Sequence, residues 1–196
     1  GLVYCRDGSL GYWMRRFDRP SLKSPGRMKY ASEDFAQLSG THKKNKYQGT
    51  MEKTVDIIET FTTFPLLEKE KLFRLTLFNF LVGNEDAHLK NLSLLTENQV
   101  VKLAPTYNLI NTHIITGDKG QEELALSLNN KRNNLKSQDF IDYFAIEYLK
   151  LPQTRIKRIV KEMILATKKW PEIIHISFLA PTLKEDYVHL VNKRLN

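Results

Sequence analysis

The 196 residues carry a formal net charge of +8 and a single cysteine, Cys5, with 41% of residues hydrophobic and 27% charged. That balance fits one globular domain with a real core. It excludes an intramolecular disulfide and a CxxC metal site, and points to a reducing, cytoplasmic compartment. No apolar run reaches the about 18 residues that a membrane-spanning helix needs. The opening stretch GLVYCRDGSLGYW has no basic segment leading into an apolar one, as a secretory signal would. Surplus positive charge favours anionic partners in general. Here the basic residues (Arg15, Arg16, Lys43, Lys44, Lys46, Lys131, Arg132, Arg155, Lys157, Arg158, Lys168, Lys169) are dispersed as on solvated helix faces. No basic stripe interleaved with aromatics stands out, so direct DNA binding is not expected.

In chain order, Val3 to Arg6 and Ser9 to Phe17 flank Asp7-Gly8, a dipeptide suited to a tight turn, and predict a hairpin. A lone two-stranded hairpin is marginal in water, so a partner strand is expected on its edge, in a dimer for example. Residues 18–31 are rich in Pro, Gly and Ser and read as a loop. Ser32 is placed to N-cap a short helix with Glu33 and Asp34 in its first turn, closed by Gly40. A basic loop, THKKNKYQG, spans 41–49. Met51, Val55, Ile58 and Phe61 recur at helical spacing over 50–64. After Pro65, the stretch 66–82 is apolar nearly all round, with Leu67, Leu72, Phe73, Leu75, Leu77, Phe78, Phe80 and Leu81, which marks a buried helix.

Residues 92–96 and 100–103 predict a second hairpin around Glu97-Asn98, and 104–136 reads as irregular and Asn-rich. Three helices follow: one capped by Ser137, a longer one running from Ile156 to Trp170, and a last one begun by a capping box of Thr182 and Glu185. Trp13 and Trp170 are expected to anchor packing. The five histidines, His42, His88, His113, His175 and His189, show no metal-ligand spacing. The chain is therefore mainly α, with two short hairpins, each next to a polar loop of unusual composition.

The segment LVGNEDAHLKNLSLL, residues 82–96, sets Asn84, Glu85, Asp86, His88, Lys90 and Asn91 between two apolar runs. Asp and Asn favour turns, so a solvated turn is one reading. A catalytic loop is the other. Phosphoryl transfer by protein kinases uses an Asp to orient the substrate hydroxyl and an Asn further along the loop to hold Mg²⁺. Asp86 and Asn91 stand five apart, the spacing of the eukaryotic kinase loop. Lys90 is placed to meet a phosphate, and His88 to orient the loop through a backbone hydrogen bond. Asn111 and His113 sit just beyond the second hairpin, where either turn propensity or a cleft position accounts for them.

The strings NFLVGNEDAHLKNLSLL, LAPTYN at 103–108, MRRFDR at 14–19 and SEDFAQLSG at 32–40 together resemble the HipA family of bacterial serine/threonine kinases, the toxin partners of HipB-type antitoxins. They cover most of residues 10–110 in the family's order. The resemblance implies a protein-kinase-like carboxy-terminal lobe, a helical bundle with short β-hairpins (α+β), over 18–196. Residues 1–17 would be a residual hairpin and hinge of the amino-terminal lobe. It implies Asp86 as the catalytic base, with His88 and Lys90 in the same loop, and Asn91 as a Mg²⁺ ligand. It implies Arg15 to Phe17 as the hinge that offers backbone groups to adenine, and Asp18 as the ribose contact. ATP and Mg²⁺ are the implied cofactors, a protein Ser/Thr the substrate, and a HipB-like antitoxin the partner.

Two departures shape the expectation. Where the family has a metal-binding Asp after the hairpin, this chain has Asn108, whose amide oxygen brings no charge to Mg²⁺. Weak metal binding and slow or absent transfer are expected. Second, only 13 residues precede MRRFDR, and Gly8, Gly11 and Lys23 form no phosphate-binding pattern. A separate amino-terminal lobe is therefore expected to complete the site. The same two departures motivate a second reading, a non-catalytic kinase-like interaction module of a toxin–antitoxin system.

Overall fold

The computed structural model describes residues 1–19, 29–116 and 122–195. The expected loop over 18–31 falls partly outside these, as does Lys23. The architecture is mainly helical with two small antiparallel sheets, the α+β class expected from the sequence.

β1 (Leu2–Tyr4) and β2 (Leu10–Tyr12) pair antiparallel, Val3 opposite Gly11, through the turn that holds Gly8 at φ +81°. Apolar side chains on both faces stay in solvent. Trp13, expected to anchor packing, is among them at 56% exposure, because its backbone instead closes the hairpin against Gly1.

The second sheet has the order β3-β4-β5, with β3 (Ala31–Asp34), β4 (Ser93–Glu97) and β5 (Val100–Leu103). Ser32, expected to cap a helix, lies within β3 opposite Leu95 instead. Residues 31–34 are a strand, Asp34 lying opposite Ser93, because β4 offers them a ladder that local sequence does not reveal. Asp34 is the cap instead. It accepts the Gln37 N–H at 2.9 Å while the Gln37 side chain accepts its own N–H, a capping box that starts α1 (Phe35–Leu38). The β4–β5 turn falls at Asn98 and Gln99, both at positive φ, one residue later than read.

α2 (Met51–Phe61) begins at Thr50, whose hydroxyl accepts the Lys53 N–H, and buries Met51, Val55, Ile57 and Ile58. α3 (Pro65–Val82) starts on Pro65, where a missing N–H costs nothing, and ends at Gly83, left-handed at φ +72°. From Leu72 to Val82 no residue of α3 is exposed, as the all-round apolar pattern predicted. Leu67, counted with that pattern, is exposed at 48%, because this turn points Glu68 inward instead, where it accepts the Leu103 N–H.

Beyond the short α4 (His113–Thr116), a π-helix spans Asp139–Tyr148. Ser137 does not cap it. The side-chain bond at its start comes from Asp139, which accepts the Lys136 N–H and takes Asn129 and Lys131 as partners. The long helix read from 156 to 170 is two. α5 (Gln153–Thr167) stops, and α6 (Trp170–His175) begins, because Pro171 has no N–H to continue the ladder. Ile164 on α5 is exposed at 48%, while Trp170 does anchor packing, edge-on against Phe78 at 5.5 Å. α7 (Pro181–Leu195) begins before Thr182, so that residue lies within the first turn and is not the cap.

α3 is the axis. α2, α5, the π-helix and β5 pack around it, and α7 crosses its carboxyl end. Phe35, Ile58, Phe73, Phe144, Leu149 and Ile159 are fully buried between them. The carboxyl end of α3 and the amino end of β4 thus become rigid banks, and residues 84–92 span them.

Candidate active site

The spanning loop is held from beneath by Asn84, which is 1% exposed. Its amide nitrogen bonds Asn79 of α3 at 3.0 Å and the Asn108 carbonyl at 3.2 Å, and its oxygen receives the Asp86 N–H. One buried side chain therefore ties the loop to α3 and to the segment after β5. Burial with every partner satisfied makes this a fixed joint rather than a solvated turn.

At the loop's centre, Asp86 is the focus of three side chains, two of them from distant positions. The Tyr47 hydroxyl donates to its Oδ1. The Asn108 amide approaches its Oδ2 at 3.5 Å. The His88 Nε2 lies 3.7 Å from its Oδ1. Asn91 turns its amide nitrogen back to the Asp86 carbonyl at 2.5 Å. Asn108 sits at φ +54°, a left-handed conformation that Asn and Asp tolerate, and this aims its side chain back at the loop.

His88 is 5% exposed and closes the turn before Leu89–Asn91 by accepting the Lys90 N–H on Nδ1 at 3.2 Å. Burial holds its imidazole below the usual histidine range; Asp86 opposes that, and Lys46 and Lys90 reinforce it. Lys90 does not stand free. Its ammonium pairs with Asp34 at 2.5 Å, so that the helix cap of α1 also steers the lysine.

The predicted hinge residues separate. Phe17 stacks on Tyr107 at 5.5 Å and 27°, and both line a cleft of about 760 Å³ that also includes Asn91, Ser93 and Leu95. Asp18 is 5% exposed and held by a two-pronged Arg16 pair at 2.8 and 2.6 Å; that hydrogen bond keeps its carboxyl below the usual range. Arg15 is exposed.

Four residues of the cluster were absent from the sequence reading as site residues. Tyr107, the residue before Asn108, donates to the Lys90 carbonyl at 2.9 Å and bonds Ser93. Tyr47 comes from the basic loop. Asn84 and Asp34 stood inside quoted motifs, and no spacing rule marks their roles. Behind the loop, Glu85 pairs with His113 at 2.6 Å and Arg194 at 3.2 Å, which answers the open question about His113: it faces the back of the loop.

No group of three or more His, Cys, Asp or Glu side chains able to hold a metal occurs among the described residues. The residues expected to hold a metal are the amides Asn91 and Asn108, which lie beside the Asp86 carboxylate. Such a set fits a hard divalent cation that arrives with phosphate oxygens to supply the missing charge, as Mg²⁺ with a nucleotide does.

A buried helix, a polar loop pinned at both ends, a hairpin and a second polar segment folded back on the loop are the parts of a kinase-like carboxy-terminal lobe. The HipA-like C-terminal domain family matches residues 2–170, and the chain belongs to that family. It is 36% identical over 84 residues to the Sinorhizobium fredii protein named "Putative kinase Y4mE", covering 41% of this chain and 20% of that one. It is 23% identical over 167 residues to a Haemophilus influenzae protein named "Putative kinase", covering 77% and 48%. Among solved structures it is similar to a chain of the Shewanella oneidensis complex of HipA, HipB and operator DNA, with a TM-score of 0.72, 20% identity, and 91% and 46% of the two chains covered. The chain thus spans less than half the length of these proteins. No helix among the described residues is long and apolar enough to cross a membrane.

Proposed function

We propose that the chain is the carboxy-terminal lobe of a HipA-like protein serine/threonine kinase. It would transfer the terminal phosphoryl group of Mg-ATP to a protein hydroxyl when an amino-terminal lobe completes the nucleotide site. The observation that carries this is the convergence of Asp86, Asn91 and Asn108 on one loop, from positions 22 residues apart. In that reading Asp86 orients the acceptor hydroxyl and takes its proton. Mg²⁺, when bound, would neutralise charge developing on the phosphates, held by the amide oxygens of Asn91 and Asn108. Phe17, Asp18 and the neighbouring Arg15 would contact the nucleoside, Phe17 from its stack on Tyr107. Residues 1–17 would be the last hairpin and hinge of the amino-terminal lobe.

Asn108 in place of a carboxylate makes the metal site weak and transfer slow. A HipB-like antitoxin is the proposed partner, supported by the complex in which the structural relative was solved. The test is calorimetric titration of the chain with Mg-ATP, beside Asn108→Asp, and then phosphorylation of serine/threonine peptides after an amino-terminal lobe is supplied. Tighter Mg-ATP binding by Asn108→Asp, and transfer that is lost in Asp86→Ala, are expected. Absence of both binding and transfer in the completed pair would sink the reading.

A further inference from the structure

Tyr47 stands across the mouth of the loop, 39 residues from Asp86 in sequence. Its hydroxyl donates to the Asp86 carboxylate, and its ring meets His88 edge-on with centroids 4.9 Å apart. The Lys46 ammonium lies over the same ring at 4.8 Å. The segment that carries it is tied down on both sides. The Lys46 carbonyl accepts the Leu89 N–H at 3.3 Å, and the Tyr47 carbonyl accepts from Arg132, itself paired with Glu122 at 3.2 Å. Gly49 packs so tightly on Leu89 that a Cβ there would lie 2.9 Å from its side chain. Tyr47 is nevertheless 37% exposed, so it covers the carboxylate from the solvent side rather than from the core.

A hydroxyl donating to the carboxylate that accepts the substrate proton has the geometry of a nucleophile on its base. We propose that the Tyr47 hydroxyl occupies the seat of the phosphoacceptor hydroxyl on Asp86, so that a substrate serine or threonine must displace it. Tyr47 is then a positioning residue. It holds Asp86 and His88 aligned while the site is empty, and it charges each acceptor the loss of one hydrogen bond. This rests on the kinase reading of the loop.

The test has two arms. In the first, the tyrosine ring carbons of the chain are followed by NMR through alkaline titration. Burial, and then the Asp86 contact, push Tyr47 up to about 12, and Asp86→Asn is expected to bring it down towards the ordinary 10. A Tyr47 whose titration ignores Asp86→Asn overturns the seat by itself. In the second arm, the chain completed with an amino-terminal lobe is given [γ-³²P]ATP with Mg²⁺ and a degenerate serine/threonine peptide library. Tyr47→Phe is expected to raise kcat/KM about two- to tenfold, the equivalent of one net hydrogen bond, with the gain lying in KM. An unchanged or lower kcat/KM overturns the proposal. Absence of transfer by every variant, with the first arm as expected, instead overturns the kinase reading, and the seat with it.

Discussion

Asn108 points its side-chain amide at the Asp86 carboxylate from 3.5 Å, across a 22-residue separation that includes the whole β4–β5 hairpin. The pair is the geometric centre of the site, and it is neutral on one side. Where a carboxylate would repel Asp86, an amide meets it.

Asn108→Asp sets two negative charges at that distance. Without metal, the variant is expected to be less stable by roughly 1 kcal/mol, the Coulomb repulsion of a solvent-exposed pair. The left-handed backbone at 108 suits Asp as it does Asn, so no further strain is added. Thermal melts with and without millimolar Mg²⁺ should show the variant recovering its loss, and the original chain responding less. A variant that melts identically with and without Mg²⁺ would remove position 108 from any metal site.

Acid sensitivity should be traceable to His88. Unfolded, it takes a proton near its ordinary 6.5; folded, it does so only at lower pH, because it is buried. The unfolded state therefore binds more protons in this window, and stability must fall as pH drops below about 6.5 until the folded group also titrates. Asp18 and Asp139, both lowered, give way only in a separate window below the ordinary 3.8. Urea midpoints at about pH 7.5 and about pH 5.5 should move less in His88→Asn than in the unmodified chain; equal slopes would refute the assignment.

Arg194 should be worth more than a surface cation. Its side chain is 5% exposed, it pairs with Glu85 at 10%, and it donates to the carbonyl of Phe80 while lying 5.1 Å over that ring. Removing Arg194 leaves the buried Glu85 with His113 as its remaining partner, so Arg194→Ala is expected to cost about 3 kcal/mol. The double variant Arg194→Ala/Glu85→Ala should lose less than the sum of the singles. Denaturant midpoints of all four forms measure this, and strict additivity would show the pair to be uncoupled.

Gly83→Ala should disturb the entrance to the loop. A Cβ there would sit 2.6 Å from Leu190 Cδ2 and 2.9 Å from both Asn111 Oδ1 and His113 Cβ, at φ +72°. The backbone term alone is about 1–2 kcal/mol, and the crowding adds to it. Urea denaturation should register a loss of at least about 2 kcal/mol; a smaller one would mean that α7 yields.

What the sequence discloses here follows the range of the interaction. α2 and α3 were legible because their signals are local: apolar residues at helical spacing in both, with Pro65 and Gly83 marking the two ends of α3. The hairpin at 93–103 was legible to within one residue of its turn. The strand at 31–34 was not, because Ser-Glu-Asp favours a cap locally and only the β4 ladder overrides it. Asp86, His88, Lys90, Asn91 and Asn108 could be picked out because a shared motif and its spacing set them together. Tyr47 could not. Its contact with Asp86 is set by how the basic loop drapes over Leu89, and a tyrosine in a lysine-rich stretch carries no mark of it. The pairing of Lys90 with Asp34 was equally invisible, since each residue alone had a sufficient local explanation.

The β1–β2 hairpin leaves Leu2, Val3, Tyr4, Leu10 and Tyr12 at between 45% and 74% exposure, on strands of three residues. In kinetic terms, this places it at the low-stability end of the molecule. Its amides would exchange with solvent through brief local opening, while those of α3 would wait for global unfolding. The hairpin would form late and fray early, and its lifetime would be set by whatever surface comes to rest against those side chains.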